Sequence, residues 1–339
     1  MPDLSRRRLL ATAALAVPAV LAMPHVRAKA RSKFVYKYGN NLPLTHPLNV
    51  RAAEAAAKIK TETEGALDIR IFPNNQLGGD TDMLNQVRSG ALDFFTPSAL
   101  VIATLVPAAP INAVGFAFPS YERVWAAMDG DLGGFIGEEI EKSGLHMMRK
   151  VWDNGFRQLT TSGKPVVTPD DLAGIKIRVP VSQLSISLFQ ALGAAPTSMQ
   201  FSEVYTALQT KIVDAQENPL PIIQTAKLFE VQKYGMLTNH IWDGYLFVAS
   251  GKTWYRLPKD IQAIAEKTLN DCGMEQRDDI AKLNASVQAD LEAKGMVFSK
   301  PDPAPFREAL AKAGFYVQWR EKFGDAAWTR LEKYVGKLG

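Results

Sequence analysis

The sequence predicts an α/β protein that is divided into two lobes. The first half of the chain alternates short strand-like runs with amphipathic helices, which is typical of a parallel sheet covered by helices. The alternation begins again after about residue 147, so a second unit of the same kind is expected. With 339 residues, the chain is long enough for two domains of ordinary size.

Five elements in the first half carry this alternation. They are a strand over 34–38, a helix over 47–63, a strand over 67–72, a helix over 80–89 and a strand over 92–95. Apolar residues repeat at every second position in the strands and at every third or fourth position in the helices. Pro47 fits the first turn of its helix, and Gly90 ends the second helix. Parallel sheets of this kind bind ligands in the loops beyond the carboxyl ends of their strands.

The second half contains further strands and ends in helices. Strands are predicted over 147–152, 157–161, 175–179 and 212–215, with extended sequence over 235–249. Helices are predicted over 182–191, 201–210, 259–294, 305–313 and 326–335. The helix over 259–294 is much longer than the others, and Gly273 is a candidate for a kink within it.

The first 30 residues have the composition of an export signal. Three arginines at 6–8 form a positive segment, an apolar run covers 9–23, and Ala28-Lys29-Ala30 offers the small residues that a signal peptidase accepts. The run S-R-R-R-L-L over 5–10 also resembles a twin-arginine signal. A general secretory signal with extra arginines and an uncleaved anchor are the alternatives. We expect cleavage near Ala30 and a mature periplasmic protein that does not span the membrane.

The net charge of the chain comes from this leader. The whole sequence has 39 lysines and arginines against 35 aspartates and glutamates, a formal net charge of +4. Residues 1–30 contain five of the basic residues and one of the acidic ones, which leaves 34 of each in residues 31–339. A neutral mature protein gives no electrostatic reason to expect nucleic-acid binding.

The sequence lacks the usual motifs for catalysis, metal binding and nucleotide binding. The single cysteine, Cys272, excludes an intrachain disulfide and an all-cysteine metal cluster, and the four histidines do not have zinc-site spacing. No G-x-S-x-G, G-x-G-x-x-G or Walker pattern occurs. The segment 129–134 superficially resembles a calcium loop but lacks the later oxygen ligands, and we interpret it as a turn. The sequence therefore favours a binding protein over an enzyme, with no metal or cofactor.

Several runs of residues occur in a specific order along the mature chain. They are G-F-R-Q-L-T over 155–160, P-D-D-L-A-G-I-K-I-R-V-P over 169–180, A-L-G-A over 191–194, F-S-E-V-Y-T-A-L-Q over 201–209, V-D-A-Q-E-N-P over 213–219, F-E-V-Q-K-Y over 229–234, Q-L-G over 76–78 and G-A-L-D over 90–93. Through these runs the chain resembles the DctP-type solute-binding subunits of tripartite ATP-independent periplasmic (TRAP) transporters. Lys211 and Ala215 stand where family members often have glycine, at turn or strand positions that leave the fold unaffected.

The resemblance implies a two-lobed periplasmic-binding-protein fold with a ligand cleft between the lobes. On this basis we expect lobe I to contain 31–153 and about 242–260, and lobe II to contain 154–241 and about 280–339. A long helix over about 260–296 would bridge the lobes. The resemblance also implies a small organic acid as ligand, its delivery to membrane permease subunits, and a monomeric receptor.

The resemblance assigns the ligand carboxylate to Arg178, Arg157 and Asn218. The planar guanidinium of an arginine fits a carboxylate through two hydrogen bonds. By strand alternation Arg178 shares a face with Lys176 and not with the neighbouring isoleucines, so an arginine solvated at a strand end is the alternative. Asn218 precedes Pro219 and has a plain turn residue as its alternative.

Further candidates lie in loops of the predicted lobe I and at the crossing between the lobes. They are Asn41, His46, Asp82, Thr96, Ser98, Asp153 and Asn154. Several have local alternatives: a helix cap for His46, a charge that favours the helix dipole for Asp82, and turn positions around Pro97 for Thr96 and Ser98.

The predicted ligand class follows from the charges expected near the carboxylate. If Asp82 and Asp153 are ionised and face the cleft, they repel a second carboxylate and accept hydrogen bonds from hydroxyl groups. This predicts a sugar acid, such as a uronate or aldonate, in preference to a C4-dicarboxylate, whereas a protonated His46 would reverse the argument. A C4-dicarboxylate or other small-carboxylate receptor, a sensing subunit for a signalling partner and an enzyme on the same fold are the alternatives.

Overall fold

A computed structural model describes residues 33–339 of the chain. The predicted export signal over 1–30 lies outside the described residues. Within 33–339, no helix has the length and apolar character needed to cross a membrane.

The described residues contain eleven strands, which form two sheets. They are β1 (Phe34–Gly39), β2 (Leu67–Phe72), β3 (Phe94–Phe95), β4 (Leu145–Met147), β5 (Trp152–Thr161), β6 (Lys176–Val179), β7 (Ala195–Ser198), β8 (Ala215–Asn218), β9 (Tyr234–Tyr245), β10 (Val248–Ser250) and β11 (Val297–Ser299).

Helices cover both sheets, and short 3-10 turns connect some of the elements. The α-helices are α1 (Pro47–Glu62), α2 (Asp80–Ser89), α3 (Ala99–Ile102), α4 (Tyr121–Met128), α5 (Asp131–Lys142), α6 (Gln183–Ala191), α7 (Val204–Gln209), α8 (Leu220–Thr225), α9 (Gly251–Trp254), α10 (Lys259–Asn284), α11 (Val287–Ala293), α12 (Pro303–Lys312), α13 (Phe315–Phe323) and α14 (Asp325–Val335). The 3-10 turns are Ala109–Ala113, Pro169–Leu172, Phe201–Glu203 and Leu228–Glu230.

Sheet 1 has the strand order β2-β1-β3-β10-β4. β1 pairs in parallel with β2 and β3, and α1 and α2 connect these three strands. Pro47 begins α1, and Gly90 ends α2 with a left-handed φ of 86°. The predicted strand–helix–strand–helix–strand unit is therefore confirmed. β10 joins it from far along the chain and runs antiparallel to β3 and β4.

Sheet 2 has the strand order β11-β9-β5-β8-β6-β7. β6 pairs in parallel with β7 and β8, whereas β5 is antiparallel to β8 and β9. The strand predicted over 212–215 is displaced to β8, because the residues before Ala215 form a turn after α7 in which Lys211 has a φ of 60°. The two sheets confirm the predicted two-lobed α/β fold.

The chain passes between the two sheets at adjacent places. β4 of sheet 1 leads into β5 of sheet 2 through 148–151, and β9 of sheet 2 leads into β10 of sheet 1 through 246–247. β5 and β9 are hydrogen-bonded to each other at this crossing, where Trp152 pairs with Tyr245. A bulge follows at Asn154, and Gly155 has a φ of 120°, a conformation that favours glycine.

The long helix differs from the prediction in its length. α10 ends at Asn284 and a separate helix, α11, begins at Val287, because Ser286 leaves the helical conformation between them. Gly273 does not mark the break. A Cβ at this glycine would lie 2.6 Å from Nε1 of Trp152, so its small size allows α10 to pack closely on β5.

The C-terminal helices contact both lobes. α12 and α13 pack against α6, the helix that connects β6 and β7 of sheet 2. α14 packs instead against α4 and α5, beside sheet 1. The predicted lobe boundaries assign all of 280–339 to lobe II, and the position of α14 departs from that assignment. α14 reaches α5 through Tyr334 and Lys333, which contact Asp131.

Three helices before β4 were not predicted. α5 contains three glycines, which lower its intrinsic helix propensity. A Cβ at Gly133 would lie 1.9 Å from the carbonyl oxygen of Met128, so close packing of α4 and α5 requires this glycine. The turn predicted over 129–134 is confined to Asp129 and Gly130, because α5 begins at Asp131.

Candidate functional site

Arg157 is the centre of a buried group of charges on sheet 2. Its guanidinium on β5 lies between Glu217 of β8 and Asp243 of β9, with Nη2 2.8 Å from Glu217 Oε1 and Nη1 3.1 Å from Asp243 Oδ2. Burial alone would lower the pKa of Arg157, but the attraction of Glu217 and Asp243 raises it well above its usual value. Two carboxylates therefore already neutralise the charge of this arginine within the protein.

Other polar side chains extend this group. His240 Nε2 lies 3.1 Å from Glu217 Oε2, and Asn218 Oδ1 accepts a hydrogen bond from Arg157 Nη2 at 3.2 Å. Burial raises the pKa of Glu217, but the attraction of Arg157 outweighs it and holds the pKa below its usual value. These contacts fix the side chains of three neighbouring strands in one arrangement.

Asp243 connects this group to the first lobe. Its Oδ2 accepts hydrogen bonds from Ser98 Oγ at 2.6 Å and from Asn154 Nδ2 at 2.9 Å. Ser98 precedes α3 beside sheet 1, so both predicted residues meet at one carboxylate. Burial is the main influence on Asp243 and raises its pKa.

Arg178 is a buried arginine of a different kind. It is 2% exposed, and its Nε and Nη2 both donate to the carbonyl oxygen of Met199, at 3.1 and 2.8 Å. Within 33–339, no carboxylate lies within ion-pair distance of its guanidinium, and Glu217 and Asp80 influence its charge from farther away. Burial lowers its pKa to about 10, so it remains a cation at neutral pH. The burial of Arg178 rules out an arginine solvated at a strand end, although Lys176 on the same strand is exposed.

Asp80 lies in the first turn of α2, where the positive charge of Arg178 influences its carboxylate. The side chain is buried, and its Oδ2 accepts a hydrogen bond from Asn41 Nδ2 at 3.1 Å. Burial raises the pKa of Asp80 to about 6, against the opposing influence of Asn41 and of the positive charge of Arg178. Asp80 and Arg178 are therefore close enough for the charge of each to influence the pKa of the other.

Four acceptor atoms in this region have no hydrogen-bond partner among the described residues. They are Asn41 Oδ1, Asp80 Oδ1, Asn154 Oδ1 and Asp243 Oδ1. Buried polar atoms are rarely left without a partner, so these four acceptors are candidates for hydrogen bonds with water or with a polar ligand. Arg178 is a cationic donor and these four atoms are acceptors, a combination of groups that suits a molecule with both a carboxylate and hydroxyl groups.

Two of the predicted lobe I residues act as helix caps. Asp82 is exposed and its Oδ2 accepts from the backbone N–H of Gly79 at 2.9 Å, which agrees with its alternative role at the start of the helix. His46 caps α1, because its Nδ1 accepts from the N–H of Leu48 at 3.2 Å. Burial lowers the pKa of His46 to about 3, which makes it neutral and removes the positive charge that would have favoured a dicarboxylate.

Asp153 lies on the other face of sheet 2 from Arg157. Its carboxylate accepts a hydrogen bond from Trp242 Nε1 at 3.1 Å, and burial raises its pKa to about 7. Trp242 and Asp243 are consecutive residues of a strand and point to opposite faces, so Asp153 occupies the face opposite Arg157. Thr96 is buried beside sheet 1, where its hydroxyl donates to the hydroxyl of Tyr38 on β1 at 2.7 Å.

Four residues of this site were not identified from the sequence. They are Asp80, Glu217, His240 and Asp243. β8 offered one usable signal, because its sequence A-Q-E-N is polar and yet occupies a central strand of the sheet, where all four residues are buried. Asp80 stands two positions before Asp82, and nothing local distinguishes the two carboxylates.

Comparison with protein families identifies the chain's relatives. Residues 38–316 match family 7 of the bacterial extracellular solute-binding proteins, DctP. The 2,3-diketo-L-gulonate-binding periplasmic protein YiaO of Escherichia coli is 31% identical over 275 residues, which cover 81% of this chain and 84% of YiaO. The uncharacterized protein y4mM of Sinorhizobium fredii is 35% identical over 314 residues, or 92% of this chain, but the match spans only 56% of y4mM.

Solved structures confirm the fold. The sugar acid binding protein DctPAm of Advenella mimigardefordensis, in complex with galactonate, superposes with a TM-score of 0.86 at 28% identity over 91% of this chain and 100% of that one. A TRAP periplasmic solute-binding protein of Sulfurospirillum deleyianum with bound succinate superposes with a TM-score of 0.84 at 27% identity, over 89% of this chain and 99% of that one. The family consists of receptors and not of enzymes, as the sequence predicted. This chain belongs to family 7 of the bacterial extracellular solute-binding proteins, the DctP family.

Proposed function

We propose that this protein is the periplasmic receptor of a TRAP transporter and that it binds a sugar acid. The observation that carries the proposal is Arg178, a buried cation without a carboxylate partner in the described chain. Burying a charge is costly unless it is paired, so such an arginine suits an anionic ligand. The carboxylate of the ligand supplies the missing negative charge.

Arg157 and Asn218 have a supporting part in this proposal. The charge of Arg157 is already balanced by Glu217 and Asp243, so it adds little attraction for a second anion. Asn218 is held by Arg157 and by Gln216, whose Oε1 accepts from Asn218 Nδ2 at 2.6 Å. Both residues hold the side chains of β5 and β8 in fixed positions next to the strand that carries Arg178.

The free acceptors favour hydroxyl groups over a second carboxylate. In this proposal Asp80 and Asp243, and not Asp82 and Asp153, are the carboxylates that accept hydrogen bonds from the hydroxyl groups of the ligand. A second carboxylate beside Asp80 would meet another negative charge once Asp80 ionises above about pH 6. Hydroxyl groups donate hydrogen bonds to the same oxygens without that repulsion. The acids named for YiaO and DctPAm support this ligand class, whereas the succinate bound by the Sulfurospirillum protein supports the alternative of a C4-dicarboxylate.

Parallel calorimetric titrations test the ligand class. The purified mature protein is titrated with glucuronate, galacturonate, gluconate, succinate and malate under one set of conditions. We expect at least one sugar acid to bind more tightly than both dicarboxylates. Tighter binding of succinate or malate than of every sugar acid would contradict the role given to Asp80 and Asp243. Turnover of any of these acids would support an enzyme instead.

We also propose that the leader over 1–30 exports the protein and is removed near Ala30. N-terminal sequencing of the periplasmic protein tests the cleavage site, and an uncleaved N-terminus would indicate an anchor. Replacing Arg6 and Arg7 by lysine should block a twin-arginine route but leave a general secretory route working. A monomeric mass in solution is expected by light scattering. Co-purification with the membrane permease subunits, and not with a signalling protein, tests the partner.

A further inference from the structure

Gln200 joins the two lobes at the edge of the site. It lies after β7 in the second lobe, and its Oε1 accepts a hydrogen bond from the backbone N–H of Asp80 at 3.0 Å. Its Nε2 donates to Thr81 Oγ1 in the first turn of α2, in the first lobe. One side chain thus makes hydrogen bonds to two consecutive residues of the opposite lobe.

The start of α2 needs an acceptor from outside the helix. The first N–H groups of a helix have no partner within it, and a side chain at the N-cap usually supplies one. The N-cap of α2 is Gly79, which has no side chain. A Cβ at Gly79 would lie 3.2 Å from the amide group of Gln200, so the glycine also leaves room for this contact. Gln200 therefore caps α2 from the other lobe.

The neighbours of Gln200 contact the arginine of the proposed ligand site. Met199 accepts both hydrogen bonds of Arg178 through its carbonyl oxygen, and Phe201 packs its ring 5.9 Å from the guanidinium carbon. On the opposite lobe, Asp80 provides the N–H that Gln200 caps, and its carboxylate accepts a hydrogen bond from Asn41. The segment 199–201 is thus in contact with the ligand-binding cation and with the other lobe at once.

We propose that Gln200 is a latch that holds the lobes together around the bound ligand and sets the rate at which the ligand leaves. This inference rests on the proposed receptor function. Gln200 is a positioning residue, because its hydrogen bonds go to protein atoms of the opposite lobe. Since these bonds form only when the lobes meet, their loss should speed opening and leave ligand entry unchanged.

Stopped-flow tryptophan fluorescence with galactonate as the probe measures both rates. For Gln200→Ala we expect dissociation about 10-fold faster or more, which corresponds to two hydrogen bonds of ordinary strength, with association within about twofold of the wild type. Gln190→Ala, an exposed glutamine on α6 of the same lobe, is the matched control and should leave both rates unchanged. An unchanged dissociation rate in Gln200→Ala would overturn the proposal.

A second variant separates the latch from a general loss of structure. Thr81→Val keeps the shape of the side chain but removes one hydrogen bond to Gln200, and it should give part of the effect. Adding Thr81→Val to Gln200→Ala should cause no further change, because the partner is already gone. Additive effects would show that the two residues act separately and would refute the latch. If galactonate does not bind the wild type, the rates are measured with the acid that binds most tightly in the calorimetric titrations, so the latch is tested separately from the ligand class.

Discussion

Replacing Arg178 by alanine should abolish ligand binding while leaving the protein folded. The side chain is buried on β6 and its cation has no carboxylate partner within the described residues. The unliganded protein loses two hydrogen bonds to Met199 and the contact with Phe201, but it also loses a buried, unpaired charge. These effects oppose each other, so we expect only a small change in the stability of the free protein.

The effect on the complex is much larger. Removing one partner from a buried, hydrogen-bonded charge pair costs about 2–5 kcal/mol. This corresponds to a loss of affinity of roughly 30-fold to 5,000-fold. A ligand present at a hundredfold excess over its Kd stabilises the wild type by about 2.7 kcal/mol. At the same ligand concentration, the variant should retain less than about 0.9 kcal/mol of that stabilisation.

Urea unfolding with and without the tightest-binding acid measures this difference. Lys176→Ala is the matched control, because Lys176 lies two positions earlier on the same strand and is exposed. It should keep the full stabilisation by ligand. Arg178→Lys keeps the charge but not the planar guanidinium, and should bind weakly. Wild-type stabilisation in Arg178→Ala would refute the assignment of the carboxylate to this residue.

Three further predictions concern pH and backbone strain. Because burial lowers the pKa of His46 to about 3, its neutral form gives stability that is complete above about pH 6.5 and is lost as the pH falls toward 3. His46→Asn keeps a capping side chain and should flatten the dependence of urea stability on pH between about 6 and 4; an unchanged slope would contradict this. Burial raises the pKa of Asp80 to about 6, and hydroxyl groups of the ligand favour its ionised form. The affinity for the ligand in calorimetric titrations should therefore increase as the pH is raised through about 6, and Asp80→Asn should remove this increase. Gly155→Ala should lower the free energy of unfolding by about 1–3 kcal/mol, because Gly155 has a φ of 120° and the added Cβ would lie 3.2 Å from Pro219. Gly163 has open space around it, so Gly163→Ala should lower the free energy of unfolding much less.

The part of the fold that follows local rules could be predicted from the sequence. β1, α1, β2 and α2 have clear periodicities, and Pro47 and Gly90 mark helix ends by their own geometry. The glycine-rich helix α5 could not be predicted, because its stability comes from packing against α4 and α14 and not from its own propensity. The division between α10 and α11 likewise depends on a backbone conformation at Ser286 that has no strong local signal.

Prediction of the candidate site from the sequence was limited in the same way, because its contacts depend on tertiary packing. Arg178 and Arg157 were found through the motif that surrounds them. Asp80 and Asp82 stand in the same helical turn, but Asp80 is buried and contacts Asn41 and Gln200, which come from other parts of the chain, whereas Asp82 is exposed. Asp243 meets its partner Arg157 across a strand pair separated by 86 residues in sequence. Such partners are determined by tertiary packing, and a single sequence carries no direct record of them.

The paired crossing of β5 and β9 has a mechanical consequence. Two separate linkers would let the lobes twist and slide as well as open. Here the two connecting strands are hydrogen-bonded to each other, with Trp152 opposite Tyr245 and Asp153 opposite Gly244, so sliding one past the other would break the ladder. A two-stranded ribbon is compliant mainly to bending out of its own plane. The pairing of the two connecting strands therefore restricts sliding of one lobe past the other and leaves bending of this ribbon as a route by which the cleft opens.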